Sequence, residues 1–169
     1  MDELKDELRL LDEEPGAFQF FAWRNITIFV WLTTPEAAHI DRLVKMGEAR
    51  IASASGKLSD VHLVTREVGL PDADARAALL EASRAGGPHL AAVAVWLAGS
   101  GFWASAVRSF VTGMNVVLRE PFELRMFAEL EELTEWLPAV HESRTGIAIS
   151  PPRLLGMLRR AQLHSSRTS

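Results

Sequence analysis

The feature that most constrains the fold is an unbroken apolar run at residues 90–98, which read LAAVAVWLA. A strand that is apolar at every position is buried on both faces, as the strands of a parallel sheet are. Residues 103–118 then carry apolar side chains at the period of a helix. Residues 122–128 alternate like a strand, and residues 130–140 return to the helical period. This part of the chain is therefore predicted as strand, helix, strand and helix.

Two segments near the start, residues 17–23 and 26–32, are aromatic and β-branched and are predicted as strands. Only Arg24 and Asn25 separate them, so we expect an antiparallel hairpin. A helix, a strand at residues 60–68 and a second helix lead to the apolar run. The order β-β-α-β-α-β-α-β-α predicts an α/β fold with a five-stranded mixed sheet. If successive strands are neighbours, right-handed crossovers place the helices mainly on one face.

The two ends of the chain carry opposite charge. Residues 1–14 have seven acidic and two basic side chains, a net charge of −5, and their leucines have helical spacing. Residues 142–169 have five arginines and one glutamate, a net charge of +4. We predict an acidic amphipathic N-terminal segment, an α/β domain at residues 15–141, and a basic, partly flexible C-terminal tail. The tail either is solvated or docks, through its leucines, on the N-terminal segment or on an acidic partner.

Composition excludes several functional classes. The net charge of −4 offers no basic surface, so no nucleic-acid partner is expected. The chain has no cysteine, which excludes disulfides and thiol nucleophiles and is typical of a cytoplasmic protein. The acidic start lacks the pattern of a secretory signal, and no apolar stretch is long enough for a transmembrane segment. Abundant alanine, and arginine in large excess over lysine, indicate a bacterial source.

No motif for catalysis or for a cofactor is visible. The five histidines are scattered, and none has the spacing of metal ligands. The sequence contains no Gly-x-Ser-x-Gly, no phosphate-binding loop and no kinase signature, which leaves open only a triad assembled in space. Gly99-Ser100-Gly101 is interpreted as a turn followed by a helix cap. We therefore predict no catalytic residue, no metal and no cofactor.

The second half of the chain has a distinctive pattern, AVAVWLAG…W…FVTGM…PFELRMFAELEELTEWL. It reads as a strand, a long helix, a short strand ending in phenylalanine, and an acidic helix ending in Trp-Leu. This pattern resembles the SpoIIAA-like (STAS-like) superfamily, including a small bacterial subgroup related to lipid-binding SEC14-type modules. The element order over residues 17–141, about three quarters of the chain, resembles it as well. The resemblance implies a STAS-like fold.

The resemblance also points to a switch residue that this chain lacks. In anti-sigma-factor antagonists of the superfamily, an Asp-Ser pair opens the helix after the third strand, and the serine is phosphorylated. Here Asp72 matches the aspartate, but Ala73 stands at the serine position. Alanine has no hydroxyl, so we expect the fold without the phosphoserine switch. The start of this helix, with Asp72 and Asp74, could still face a partner.

Aromatic side chains raise the question of what covers the second face of the predicted sheet. Phe29 and Trp31 alternate on one side of the second strand, and Trp96 lies on the fourth. A single layer of helices cannot cover both sides. The second face is therefore covered by a terminal helix, by a second copy of the chain, or by a partner or lipid-like ligand.

We accordingly predict a non-catalytic regulatory or scaffolding module of the bacterial cytoplasm. It acts through protein–protein contact and self-associates as a homodimer. The alternative is a module that binds a lipid or another apolar small molecule between sheet and helices, and an uncharacterised enzyme is the third hypothesis. The residues expected at the partner interface are Phe29, Trp31, Asp72, Asp74, Trp96, Leu154, Leu155 and Leu158.

Overall fold

A computed structural model of the protein describes residues 6–66, 68–99, 101–118 and 121–166. This part of the chain contains six strands and five α-helices. The strands are β1 (Arg9–Glu14), β2 (Phe18–Trp23), β3 (Ile26–Trp31), β4 (Leu58–Val64), β5 (Leu90–Leu97) and β6 (Glu123–Phe127). The helices are α1 (Ala37–Ser53), α2 (Ala73–Gly86), α3 (Phe102–Leu118), α4 (Leu130–Thr145) and α5 (Pro151–Ser165).

The six strands form one sheet in chain order. The first three, β1 to β3, are antiparallel neighbours, and β3 to β6 run parallel to one another. A two-residue turn joins β2 to β3, and Arg24 in this turn has a left-handed backbone (φ +51°). The predicted mixed α/β fold and its hairpin are confirmed, with one strand more than the five predicted.

The additional strand replaces a predicted helix, and the helix prediction for the N-terminal segment is wrong from Arg9 to Glu14. This segment forms β1 and pairs with β2 from Phe18 to Ala22, with one register irregularity near Leu11. A helix this short is marginal in water, whereas β1 gains ladder hydrogen bonds and two ion pairs. Arg42 of α1 donates from Nε to Asp12 Oδ2 (3.0 Å) and from Nη1 to Glu14 Oε2 (2.8 Å). Residues 1–5 lie outside the described part.

The three crossover helices α1, α2 and α3 lie on one face of the sheet, as the neighbouring order of the strands requires. They cover the side of the sheet that carries Phe20, Phe29 and Trp31. Ile40 of α1 is fully buried between this helix and the sheet. The opposite side of the same strands carries Ile28 and the other alternating residues of β3.

That opposite side is covered by α4 and α5 of the same chain. Leu133 and Leu137 of α4, and Leu154 and Leu158 of α5, all have 0% exposure. Fully burying one leucine side chain contributes about 1.5–3 kcal/mol, so these two helices are an integral part of the core. Of the three covers considered for the second face, the structure contains the terminal helix.

The C-terminal region differs from its prediction as a basic, partly flexible tail. α4 continues past residue 141 to Thr145 and ends at Gly146, whose left-handed backbone (φ +71°) is common where helices end. Residues 151–165 form α5, and two of its arginines form ion pairs with acidic side chains. Arg159 contacts Glu131 of α4 (2.9 Å), and Arg153 pairs with Asp6. The apolar side chains of α5 pack against α4 and the sheet of the same chain, and the basic composition of this segment did not indicate that packing.

None of the helices in the described ranges is both long enough and apolar enough to cross a bilayer.

Candidate functional site

A cavity of about 500 Å³ lies between the sheet and the layer formed by α1, α2 and α3. We refer to it as the sheet–helix cavity. The apolar part of its helical wall is formed by Leu43, Val44 and Ile51 of α1, Leu79 of α2, and Val107 and Val111 of α3.

The sheet side of the cavity has an aromatic part and a polar part. Phe29 and Trp31 of β3 supply the aromatic part. Thr27 lies two residues before Phe29 and on the same face of β3. The residue paired with Thr27 on β4 is Asp60. His62 follows Asp60 two residues later, so all these side chains lie on one face of the sheet. Thr27, Asp60 and His62 therefore form a polar floor on the sheet side of the cavity.

His62 is held in one orientation and one protonation state. The Trp31 indole Nε1–H donates to Nδ1 of His62 (3.1 Å), and the imidazole stacks on Phe29 with ring centres 4.6 Å apart. Burial lowers the pKa of His62 to about 4, so the ring is neutral at neutral pH. Because Nδ1 accepts a hydrogen bond, the proton of the neutral ring is on Nε2. Within the described residues Nε2 has no partner, which leaves an N–H donor at the floor.

Asp60 is an acid whose ionisation is opposed by its surroundings. Burial raises the pKa of Asp60 to about 7, although the hydrogen bond with Thr27 and the positive charge of Arg50 act in the opposite direction. The part of the Asp60 surface that remains accessible lines the cavity. Near neutral pH this carboxyl group therefore exists in comparable amounts as a proton donor and as an anion.

Arg50 places a partly desolvated positive charge at the end of the cavity where Asp60 lies. It lies near the end of α1, and its Nη2 donates to the backbone carbonyl of Arg24 (2.8 Å) at the β2–β3 turn. Its Nε is buried without a hydrogen-bond partner in the described part of the chain. Burial, with a smaller contribution from the charge of Arg9, lowers the pKa of Arg50. With Arg50 counted as part of it, the polar floor combines a cation, a neutral N–H donor and a carboxyl group that titrates near pH 7.

The three aromatic residues predicted for a partner interface do not share a face. Phe29 and Trp31 are only 3% and 5% exposed and line the sheet–helix cavity. Trp96 is half-buried on the opposite side, beside α4, and its Nε1 donates to the carbonyl of Ala128 (3.0 Å). Trp96 lies on the other face from Phe29 and Trp31 because it is in register with Leu63 and not with His62.

The remaining residues predicted for that interface also have places within the chain. Asp72 caps α2, since its carboxylate accepts from the amide of Ala75 (2.8 Å), and Asp74 is exposed in the first turn. Leu155 is half-buried against α4 and the sheet, next to the fully buried leucines of α5. The eight predicted residues are thus divided between the cavity, the second face and one helix start. Ser100, interpreted as a helix cap, lies outside the described residues.

Sequence reasoning missed Asp60 and Arg50 and treated His62 only as one of five scattered histidines. A signal was present in β4, where polar Asp60 and His62 alternate with apolar Val61 and Leu63. Such alternation is usual for a strand with one face in water. In this structure the polar side faces a cavity under helices, which only the packing of α1 and α2 determines.

A second polar pair, Ser59 and His141, lies on the other side of the sheet. Ser59 Oγ and His141 Nδ1 are 2.8 Å apart, and both residues are 0% exposed. Burial and the charge of Arg24 lower the pKa of His141 to about 4, and its Nε2 has no partner in the described ranges. Enclosure on every side leaves this pair without access to a substrate. Within the described residues, no group of acidic and histidine side chains has the arrangement of a metal site.

Comparison with known proteins finds similarity only at the level of structure. No protein-family profile and no curated protein matches the chain. An uncharacterised protein of the DUF3478 family from Shewanella loihica PV-4, described as having a SpoIIAA-like fold, is 17% identical, with a TM-score of 0.47 over 78% of this chain and 92% of that one. Apo-SiaC from Pseudomonas aeruginosa is 11% identical, with a TM-score of 0.41 over 70% and 98%. Neither similarity bears on the function of this chain.

Proposed function

We propose that the protein is a non-catalytic binding module that holds an apolar small molecule in the sheet–helix cavity. The cavity itself is the observation that carries this proposal. Protein interiors are close-packed and contain few voids larger than a water molecule. An apolar space of about 500 Å³ beside a few convergent polar groups has instead the size and lining of a ligand pocket. The module would carry its ligand or report the ligand's presence.

The proposal includes the absence of catalysis, because the side chains that most resemble a catalytic pair are inaccessible to a substrate. Ser59 and His141, the pair most similar to a nucleophile and its base, are completely enclosed. Asp60 and His62 do reach the cavity, and a carboxyl group titrating near 7 beside a neutral imidazole can also transfer protons in an enzyme. Recovery of a chemically altered ligand after incubation with the protein would therefore overturn the non-catalytic assignment.

Native mass spectrometry of the purified protein tests the binding proposal. A bound small molecule should appear as a discrete mass increment that disappears when the protein is denatured. Gly47, on the cavity wall, provides a matched pair of variants, because a Cβ at this position meets no atom within 4 Å. Gly47→Leu places a side chain in the cavity and should reduce ligand occupancy, whereas Gly47→Ala should leave it unchanged. Equal occupancy in both variants, or none in the wild type, contradicts the proposal.

Protein contact with self-association stays a prediction and is the second candidate function. Its sequence argument was an uncovered sheet face, and α4 and α5 cover that face. The observation that now favours it is a pair of exposed apolar residues on the cavity side, Leu70 (52%) and Val116 (71%). The free edge of β1 is a less favourable route, because charged side chains on an edge strand oppose pairing with another copy. The mass in solution distinguishes these cases: a dimer supports protein contact, and a strict monomer at high concentration counts against self-association.

A further inference from the structure

The polar groups of the sheet–helix cavity are concentrated at one end. Thr27 and Asp60 lie near the beginning of β3 and β4, and Arg50 lies near the end of α1, which returns to the same edge of the sheet. The other end is apolar, with Val64 and Val68 on its wall. A ligand that fits this distribution has an apolar body and one polar head.

Arg50 and His62 determine which charge the polar head of the ligand must carry. At neutral pH the floor contains the positive charge of Arg50 and the unpartnered Nε2–H of neutral His62. Both require an acceptor, and neither can accept a hydrogen bond in these protonation states. An ammonium head would meet the charge of Arg50 and leave both donors unpaired, while a hydroxyl head would bring no negative charge toward Arg50. A carboxylate satisfies the donors and compensates the charge.

Asp60 must be protonated beside such a carboxylate, since two carboxylates in one buried site cannot both remain ionised. The pKa of Asp60 is already raised by burial, so its protonation near neutral pH costs little. The protonated carboxyl then donates a further hydrogen bond to the ligand. The other ionisable groups at the cavity are Glu48 on α1 and His89 before β5, and both are exposed. They are solvated and therefore act weakly on the floor.

We propose that the ligand is an amphiphilic monocarboxylic acid, bound as its carboxylate between Arg50, His62 and protonated Asp60, with its apolar body toward Val64 and Val68. This inference rests on the proposed function. It adds the chemical class of the head group and a proton taken up on binding. Because Asp60 and Arg50 interact through charge without a direct hydrogen bond, a carboxylate between them gains both as partners.

Three probes with the same apolar body test the inference: dodecanoic acid, dodecanol and dodecylamine. Affinities are measured by isothermal titration calorimetry on ligand-stripped, full-length protein at pH 6 and pH 8. The acid should bind at least about tenfold more tightly than the alcohol or the amine at pH 6, as expected for one charge-assisted contact. Its affinity should fall about tenfold by pH 8, since Asp60 loses its proton with a pKa of about 7.

Two variants identify the groups responsible. Asp60→Asn keeps the shape and retains a donor, so the acid should bind with the same affinity at pH 6 and pH 8. Arg50→Gln should lower the affinity for the acid to that for the alcohol and leave the alcohol unaffected. Circular dichroism checks that each variant is folded. Proton uptake by the wild type, measured at pH 8 from the binding heats in two buffers of different ionisation enthalpy, requires no substitution.

The outcomes separate the inference from the function on which it rests. If the alcohol or the amine binds as tightly as the acid, or if no proton is taken up, the acid head group is wrong while the cavity still binds an apolar ligand. If none of the three probes binds and the purified protein contains no small molecule, the proposed function fails as well. Preference for the acid with proton uptake, lost in Asp60→Asn, supports both.

Discussion

Replacing Gly47 by leucine should stabilise the ligand-free protein more than replacing it by alanine. Gly47 lies within α1, and space is open where its side chain would be. Alanine in place of glycine inside a helix gains about 1 kcal/mol, and leucine has nearly the same helix propensity. Leucine additionally removes apolar surface from water as it enters the cavity, which adds about 1–2 kcal/mol.

The expected free energies of unfolding are therefore higher by about 1 kcal/mol for Gly47→Ala and by about 2–3 kcal/mol for Gly47→Leu. For a chain of this size, each kcal/mol shifts the melting temperature by about 2–4 °C. Urea unfolding of ligand-stripped protein, followed by tryptophan fluorescence, measures both differences. A leucine variant that is no more stable than the alanine variant would show that a side chain cannot use the space beside Gly47, and the cavity argument would be refuted.

Three further predictions concern the core, a helix cap and pH. Leu158→Ala, on α5, should destabilise the fold by about 2–5 kcal/mol, and the matched control Leu163→Ala, at a 63% exposed site, should cost less than about 0.5 kcal/mol; equal effects in urea unfolding would contradict the packing of α5. Asp72→Ala should lower the free energy of unfolding, measured by thermal unfolding, by about 1 kcal/mol because it removes the cap of α2. The control Asp74→Ala removes a carboxylate that does not cap the helix, and it should lower the free energy of unfolding less. The pKa of His141 is lowered to about 4 from 6.5, so the unfolded chain binds the proton more tightly and stability falls as the pH drops from 6.5 to 4. His141→Gln should remove up to about 3 kcal/mol of this fall; an unchanged pH slope of stability would refute this.

The fold was predictable because its elements are locally consistent. The apolar run of β5, the hairpin of β2 and β3, and the helical periods between them each specify an element without reference to the others. Right-handed crossovers between neighbouring strands then place three helices on one face. The structure confirms this arrangement.

β1 and α5 were not predictable in the same way, because their stability comes from contacts distant in sequence. The leucines of the N-terminal segment have helical spacing, but pairing with β2 and the ion pairs of Arg42 determine a strand. The leucines of the C-terminal tail were considered as docking residues, yet the basic composition of α5 did not show that they fill the core beside α4. The periodicity of apolar residues along the chain predicts the type of an element, but it does not predict which element it packs against.

The candidate site depends on packing still more strongly. Phe29 and Trp31 were identified as unusual from the sequence, but they were expected on a surface and lie in a cavity. Arg50 and Asp60 are ordinary charged residues in the sequence, and only the return of α1 to the edge of the sheet brings them together. Their shifted pKa values arise from this desolvation, which no spacing rule along the chain expresses.

The sheet–helix cavity makes the two sides of the sheet mechanically unequal. On the side of α4 and α5, Leu133, Leu137, Leu154 and Leu158 are fully buried against the sheet, whereas the layer of α1, α2 and α3 borders about 500 Å³ of space that is partly open to solvent. A helical layer with fewer buried apolar contacts opens locally at a lower free energy. A ligand in the cavity adds contacts between this layer and the sheet, and it therefore slows the local opening of the layer. Occupancy would therefore be transmitted as stiffness of one helical layer, while the other layer holds the sheet fixed.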